Sequence, residues 1–380
     1  MFDLSSLGEK KSRNVPLYIS LACGLQCLVF WYSAGLLPES GIGMGGQYLD
    51  SIPVELDSTT GYTEVTDSVV TPRFQVADQQ DSSKSLSNEL SSHVNHLAVS
   101  IGERNLKHHQ NLCEAANYLK KQLANPGFAV TEQKFKVRGL DCFNIIAELK
   151  GKRHPGEILV VAAHYDSVDG SPGANDNGSG VAALLALAKR FSKKKPERTL
   201  RFIGFTNEEP PYFQNPEEMG SSVYARACKA ADENIVGVIS LETMGYYSEK
   251  ENSQKYPPPL NVMYPSTGNF IGFVANLESQ PLLKQVVNSF REHSKFPSEF
   301  ACLPSQMEGV GWSDHWSFWQ EGYAGIMVTD TAPFRYPHYH LATDTPDKLD
   351  YKSLEKVVEG LEQVITDLSK SPEKAEAPKK

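Results

Sequence analysis

A chain of 380 residues, 40% of them apolar and 22% charged, is long enough to bury a full-sized core in one large domain. Its net charge of -9 excludes the clustered Lys and Arg surface that nucleic-acid binding needs. Six scattered cysteines with no CxxC pair exclude both a disulfide framework and a cysteine-based metal site; one or two disulfides stay open and cannot be paired from sequence.

Lys10, Lys11 and Arg13 open the chain and precede an uncharged apolar run over residues 15–37, with Gln26 its only strongly polar member. That run is long enough to cross a hydrocarbon core of about 30 Å as a helix. Pro16 stands near its start and Trp31 and Tyr32 near its end, as a membrane span tolerates and favours. The expected arrangement is a single-pass signal-anchor: residues 1–14 cytoplasmic, 15–37 in the membrane, and the rest extracytoplasmic. Secretion after signal cleavage is the alternative, although no clear A-x-A site follows the run. A buried core helix is the third option. Residues 38–90 are rich in Ser, Thr, Asp, Gly and Gln without periodicity and are expected to be a tether. Residues 371–380 read as a charged tail, which leaves 91–370 as the main domain.

Within it, helical spacing covers 112–123. Alternation predicts a strand at 130–137, and another follows at 143–149. The continuous apolar run at 158–163 predicts a strand buried on both faces. A helix of small and apolar residues follows at 180–191, then a strand at 200–205, a helix at 221–231 and a buried strand at 235–241. A helix at 280–294, a short strand at 325–328 and a closing helix at 352–368 complete the pattern. Strands alternating with helices predict an α/β fold, a mainly parallel central sheet between helical layers. In such folds ligands bind beyond the carboxyl ends of the strands.

Those ends carry the polar chemistry. His164 and Asp166 follow the first buried strand, then a glycine-rich segment containing Asp176. Asn207, Glu208 and Glu209 follow the second, Glu242 the third, and His340 lies in PHYHLATDTPD. Taken singly, each is an ordinary residue: a hydrogen-bonded histidine, a solvated Glu pair, a turn. Together at one sheet edge they are the nitrogen and oxygen ligands that Zn²⁺ accepts. Two ions close together need one carboxylate between them, and Asp176, on a loop whose glycines allow close approach, is the expected bridge. His164 with one terminal carboxylate would hold one ion, and His340 with the other the second. A water between the ions becomes a hydroxide-like nucleophile near neutral pH. One member of the Glu208–Glu209 pair is expected to move its proton while the other binds metal. Asp166 is expected to accept the spare N–H of His164.

The segments HYDSVDGSPGANDNGSGVAALLALA, FIGFTNEE, LETMGYYS, SDHWSF and YHLATDTPDKLD, in this order, resemble the M28 family of co-catalytic zinc peptidases. The resemblance runs over about residues 100–368 and includes ERN at 103–105 followed by FNIIAEL. It implies a three-layer sandwich of the phosphorylase/hydrolase-like kind, two zinc ions per chain, and peptides or small proteins as substrates. It implies His164 as the first-site histidine, Asp176 as the bridge, Glu208 as general base, Glu209 as the following ligand and His340 as the second-site histidine. Glu242 takes the place where most members have Asp. Tyr339 resembles the tyrosine that steadies the tetrahedral intermediate. Asp314 and His315 resemble a supporting or pocket motif; His338 is not expected to bind metal.

An aminopeptidase is the leading expectation. A carboxypeptidase would need a basic cluster for the substrate carboxylate, for which Arg335 is the one candidate. A glutaminyl cyclase-like acyltransferase shares the fold but uses a single zinc and lacks the first-site histidine role. A membrane receptor or chaperone of the same fold should show broken ligands, and none is broken here. Tyr246, Trp312, Trp316, Phe318 and Trp319 are the candidates for the substrate pocket, although aromatic residues are more often core.

Overall fold

The computed structural model describes residues 85–370. The expected span at 15–37 and the expected tail at 371–380 lie outside them. Among the described residues, no helix is long and apolar enough to cross a membrane.

Eight strands form one sheet in the order β1-β2-β4-β3-β5-β8-β6-β7. They are β1 (Ala129–Val137), β2 (Leu140–Leu149), β3 (His154–His164), β4 (Arg198–Phe205), β5 (Asn234–Glu242), β6 (Ile271–Ala275), β7 (Ser298–Cys302) and β8 (Gly325–Thr329). The centre, β4-β3-β5-β8, is parallel. Strands β1 and β2 join it as an antiparallel hairpin on one side, and β6 with β7 form a parallel pair that runs antiparallel to β8 on the other.

Strand β3 shows why the sheet is covered on both faces. Leu159, Val161 and Ala163 enter one core, while Ile158, Val160 and Ala162 enter the other. Successive side chains of a strand alternate between faces, so an unbroken apolar run needs two apolar covers. The larger cover is made by α1 (Leu86–Asn95), α2 (His109–Ala124), α3 (Gly180–Phe191), α5 (Gln280–His293) and α8 (Tyr351–Leu368). Helix α4 (Gly220–Ala230) brings Tyr224, Ala225 and Cys228 to the second core, and α6 (His315–Gln320) brings Phe318. The short α7 (Ala332–Arg335) follows β8.

Local chemistry sets the boundaries. Ser85 caps α1, whose range straddles the tether boundary expected at residue 90. Asp350 caps α8 by accepting from the Lys352 and Ser353 amides at 3.1 Å each. Helix α3 packs so closely at its start that a Cβ on Gly180 would lie 2.2 Å from Asn177 Oδ1. The expected elements recur with ends shifted by a few residues. The expectation lacked α1, α6, α7, β6 and β7. Cys113, Cys142, Cys228 and Cys302 are all free thiols, so no disulfide forms among the described residues.

Candidate metal centre

His164 ends β3 and Glu242 ends β5, while Glu208 and Glu209 follow β4. These parallel strands deliver their polar ends to one edge, and the glycine-rich loop folds Asp176 over them. Asp176 Oδ1 lies 3.3 Å from His164 Nε2. Its other oxygen, Oδ2, lies 3.1 Å from His340 Nε2. Glu242 Oε2 stands 3.2 Å from His164 Nε2, and Glu209 Oε2 stands 3.2 Å from His340 Nε2. Two triads result, His164–Asp176–Glu242 and Asp176–Glu209–His340, each with ligand atoms within 4.8 Å of one another.

The donor set fits a cation better than it fits itself. His164 Nε2, Asp176 Oδ1 and His340 Nε2 are buried and make no hydrogen bond. Buried polar atoms without partners are costly, and here they face common points from several sides. Burial alone would keep His164 neutral, yet Glu242, Glu208, Asp166 and Asp176 around it raise its pKa well above the ordinary value. Burial would also lower His340, but Asp176 and Glu209 raise it to about 10. Burial would raise the Asp176 carboxyl, and the two histidines hold it below the ordinary range. In both triads positive charge is drawn in among carboxylates, the balance a divalent ion supplies.

Glu208 belongs to neither triad. Its Oε2 stands 3.8 Å from His164 Nε2. Burial lifts its carboxyl well above the ordinary range; Glu242, Glu209 and Asp314 push the same way and His164 opposes them. Asp166 holds the Glu pair in place by accepting from the Glu208 amide at 3.2 Å and the Glu209 amide at 3.1 Å. Its Oδ1 is also 3.4 Å from His164 Nδ1. Glu209 Oε1 accepts from the Val168 amide at 3.1 Å, leaving Oε2 free for the triad. Ser313 Oγ donates to Glu242 Oε2 at 2.8 Å.

The sequence reading missed two supports. Asp344 accepts from the Asn175 amide at 2.8 Å and the Asp176 amide at 3.1 Å, clamping the loop that carries the bridge. Arg104 is fully buried and donates to the carbonyls of Tyr165, Pro172 and Gly173 at 2.7, 2.5 and 2.8 Å. Gly173 accepts this contact at φ 62°. Their signals were the ERN and TDTPD segments, whose residues had been given no separate roles. The backbone is also unusual at the site: Asn207, Thr243 and His340 all have positive φ. For Thr243, a β-branched residue, this is a conformation that only surrounding structure maintains.

Tyr339 stacks on the His340 ring, centroids 3.8 Å apart. Burial and the surrounding Asp176, Glu209, Glu242 and Glu208 raise its pKa far above the ordinary value, so the phenol keeps its proton. Asp314 is fully buried close to the centre, its carboxyl pushed up to about 7 by burial, but it joins neither triad. His315 turns to the protein instead: Nε2 meets the Val310 carbonyl at 2.9 Å, the ring stands edge-on to Trp319, and burial lowers its pKa to about 4. His338 pairs with Thr343 at 2.9 Å.

Beside the first triad lies an apolar pocket of about 810 Å³, part of it open to solvent, with Glu242 and Tyr339 in its wall. Of the expected aromatic residues only Trp312 lines it. Phe318 is core, Trp319 donates to the Gly325 carbonyl, and Tyr246 packs on Tyr336. The wall comes instead from Tyr256, Tyr264, Phe270, Phe300 and Phe334. Arg335 is no substrate anchor: it is 6% exposed, bonds Gln254 and the Phe270 carbonyl, and lies over the Phe270 ring.

Residues 144–365 match the sequence profile of Peptidase family M28. The chain belongs to this family. As an M28 member it is 33% identical over 282 residues to YfbL of Escherichia coli (strain K12), covering 72% of this chain and 85% of that protein. It is 44% identical over 91 residues to aminopeptidase YwaD of Bacillus subtilis (strain 168), 22% of this chain and 20% of that one. Among solved structures, BSAP, a zinc aminopeptidase from Bacillus subtilis, has a TM-score of 0.61 at 15% identity, covering 76% of this chain and 96% of that one. The Fimbriiglobus ruber glutaminyl cyclase has a TM-score of 0.54 at 20% identity, covering 74% and 94%. The last two likenesses show a shared fold.

Proposed function

We propose that this M28 protein is an aminopeptidase with two zinc ions per chain. The observation that carries the reading is Asp176, whose two carboxylate oxygens face two different histidines at 3.3 and 3.1 Å. His164 and Glu242 would hold one ion, and Glu209 and His340 the other. When bound, such a pair supplies Lewis acidity and a nucleophilic water near neutral pH. Glu208, 3.8 Å from His164 and a member of neither triad, would carry a proton from the attacking water to the leaving amine. Tyr339, protonated and beside His340, donates to the oxyanion. Asp166 positions His164 and the Glu pair.

The amino end of the substrate is favoured because the pocket wall has no Lys or Arg to meet a free carboxylate, while Glu242 lies where the pocket meets the first triad. The complete histidine pair argues against a single-zinc cyclase, and the intact ligand set against a receptor that has lost its metals.

The test is an aminoacyl-arylamide panel with and without N-acetylation, run on the zinc-loaded chain. Hydrolysis should fall by more than about 100-fold on blocking the amine, the scale on which a buried charge left unpaired is penalised. Equal cleavage of blocked and free substrates would rule out an aminopeptidase.

A further inference from the structure

The pocket beside the first triad carries a charge that neither the triads nor the core uses. Its floor runs across the sheet. Glu242 pairs with Thr329, Thr329 with Gly272, and Gly272 with Glu299. Residues paired across neighbouring strands share a face, so Glu242 and Glu299 stand on the same side of the sheet. Three strand spacings separate them, about 14 Å. All four residues line the pocket. Gly272 keeps the floor low between the two acids, and a Cβ there would lie 3.2 Å from the Thr329 carbonyl.

Glu299 is half-buried at the end of this row, and its charge is felt by the phenols of Tyr256 and Tyr264. Those two rings stack at 5.6 Å. Burial pushes the Glu299 carboxyl above its ordinary range, and only Arg291 opposes this. Arg291 is engaged elsewhere: it donates to Ser298 Oγ at 3.1 Å and to the Ser298 carbonyl at 2.6 Å, and lies over Phe300. Among the described residues Glu299 has neither a hydrogen bond nor an ion pair. Glu308, exposed on the rim, adds charge of the same sign.

We propose that this pocket receives the side chain of the substrate's N-terminal residue and that Glu299 selects lysine or arginine there, an inference resting on the aminopeptidase reading. The aliphatic stem of such a side chain lies along the Phe270, Phe300 and Phe334 walls, while its cationic end reaches Glu299 beside the Tyr256–Tyr264 stack. A wholly apolar side chain fills the same walls but leaves the carboxylate desolvated and unpaired. A charge-assisted contact in a partly buried pocket supplies the discrimination.

The experiment compares lysine with norleucine, which keeps the stem and lacks the ammonium. On the zinc-loaded full chain, kcat/KM for lysyl-arylamide should exceed that for norleucyl-arylamide by about 10- to 100-fold, the range of one charge-assisted hydrogen bond. Calorimetry should show lysinamide binding tighter than norleucinamide by a similar factor. Glu299→Gln should bring both ratios close to one, and Glu308→Gln should change them by less than about threefold, as expected of a solvated rim charge. Equal or better use of norleucine by the unaltered protein overturns the proposal, as does a ratio that survives Glu299→Gln. Should neither arylamide be cleaved, the aminopeptidase reading fails, and the calorimetric ratio alone then decides the pocket: tighter lysinamide binding lost with Glu299 upholds it, and equal binding overturns it.

Discussion

Glu208→Gln should lower kcat by at least about 100- to 10,000-fold, the range that general acid–base catalysis contributes, while zinc content stays unchanged. The reason is positional. Glu208 lies 3.8 Å from His164 yet outside both triads, so its loss removes a proton carrier and no ligand. Glutamine keeps the shape and the hydrogen-bonding reach but has no basic oxygen. The Asp166 contacts to the Glu208 and Glu209 amides are made through the backbone, so they survive the substitution. The measurement is steady-state kinetics on free-amine arylamides together with metal analysis of the same preparation. A variant retaining a tenth of the activity would remove Glu208 from the role of base; one that loses zinc would make it a ligand.

Arg104→Met should destabilise the zinc-free protein by about 3–5 kcal/mol, the usual result of removing one member of a buried charged network. Arg104 is at the centre of such a network. Burial lowers its pKa to about 10, while Asp166, Asp344, Asp176 and Glu209 favour its charge. Its guanidinium also satisfies the carbonyls of the loop that leads to Asp176. Methionine fills much of the volume, leaves those carbonyls without a donor and removes the positive charge among the carboxylates. Arg104→Lys should fall between the two, because one ammonium cannot reproduce the forked contacts. Urea denaturation gives the stability change, and zinc titration should show weakened binding. A loss below about 1 kcal/mol, the value of a surface ion pair, would contradict the account.

The contrast between these two residues shows what a sequence reveals. The Glu208–Glu209 pair was legible because it follows a strand of the parallel sheet, at the ligand-binding edge, and Glu208 was singled out from it by the family resemblance. His164 and Glu242 were legible because a buried parallel strand reads as an uncharged apolar run and each stands directly after one, and His340 through the resemblance of its segment. Arg104 was not, since an arginine between Glu103 and Asn105 reads as surface until the loop from Tyr165 to Gly173 closes over it. Asp344 likewise reads as a turn residue, yet it clamps an amide 168 residues away. Ser298 and Glu299 give β7 no apolar start, and β6, no shorter than the expected β8, was overlooked although Ile271–Ala275 is apolar. The pocket was misplaced for that reason. Its wall is built largely from those strands and the loops around Tyr256 and Tyr264, whereas the aromatic cluster at 316–319 sends Phe318 into the core.

Anomalous diffraction at the zinc edge from crystals of the zinc-loaded chain tests the central claim most directly. Two peaks about 3.5–4 Å apart are expected, one beside His164 and Glu242, the other beside Glu209 and His340, with the Asp176 carboxylate between them. A single peak, or none at this edge of the sheet, would contradict the two-ion centre and the hydrolysis built on it.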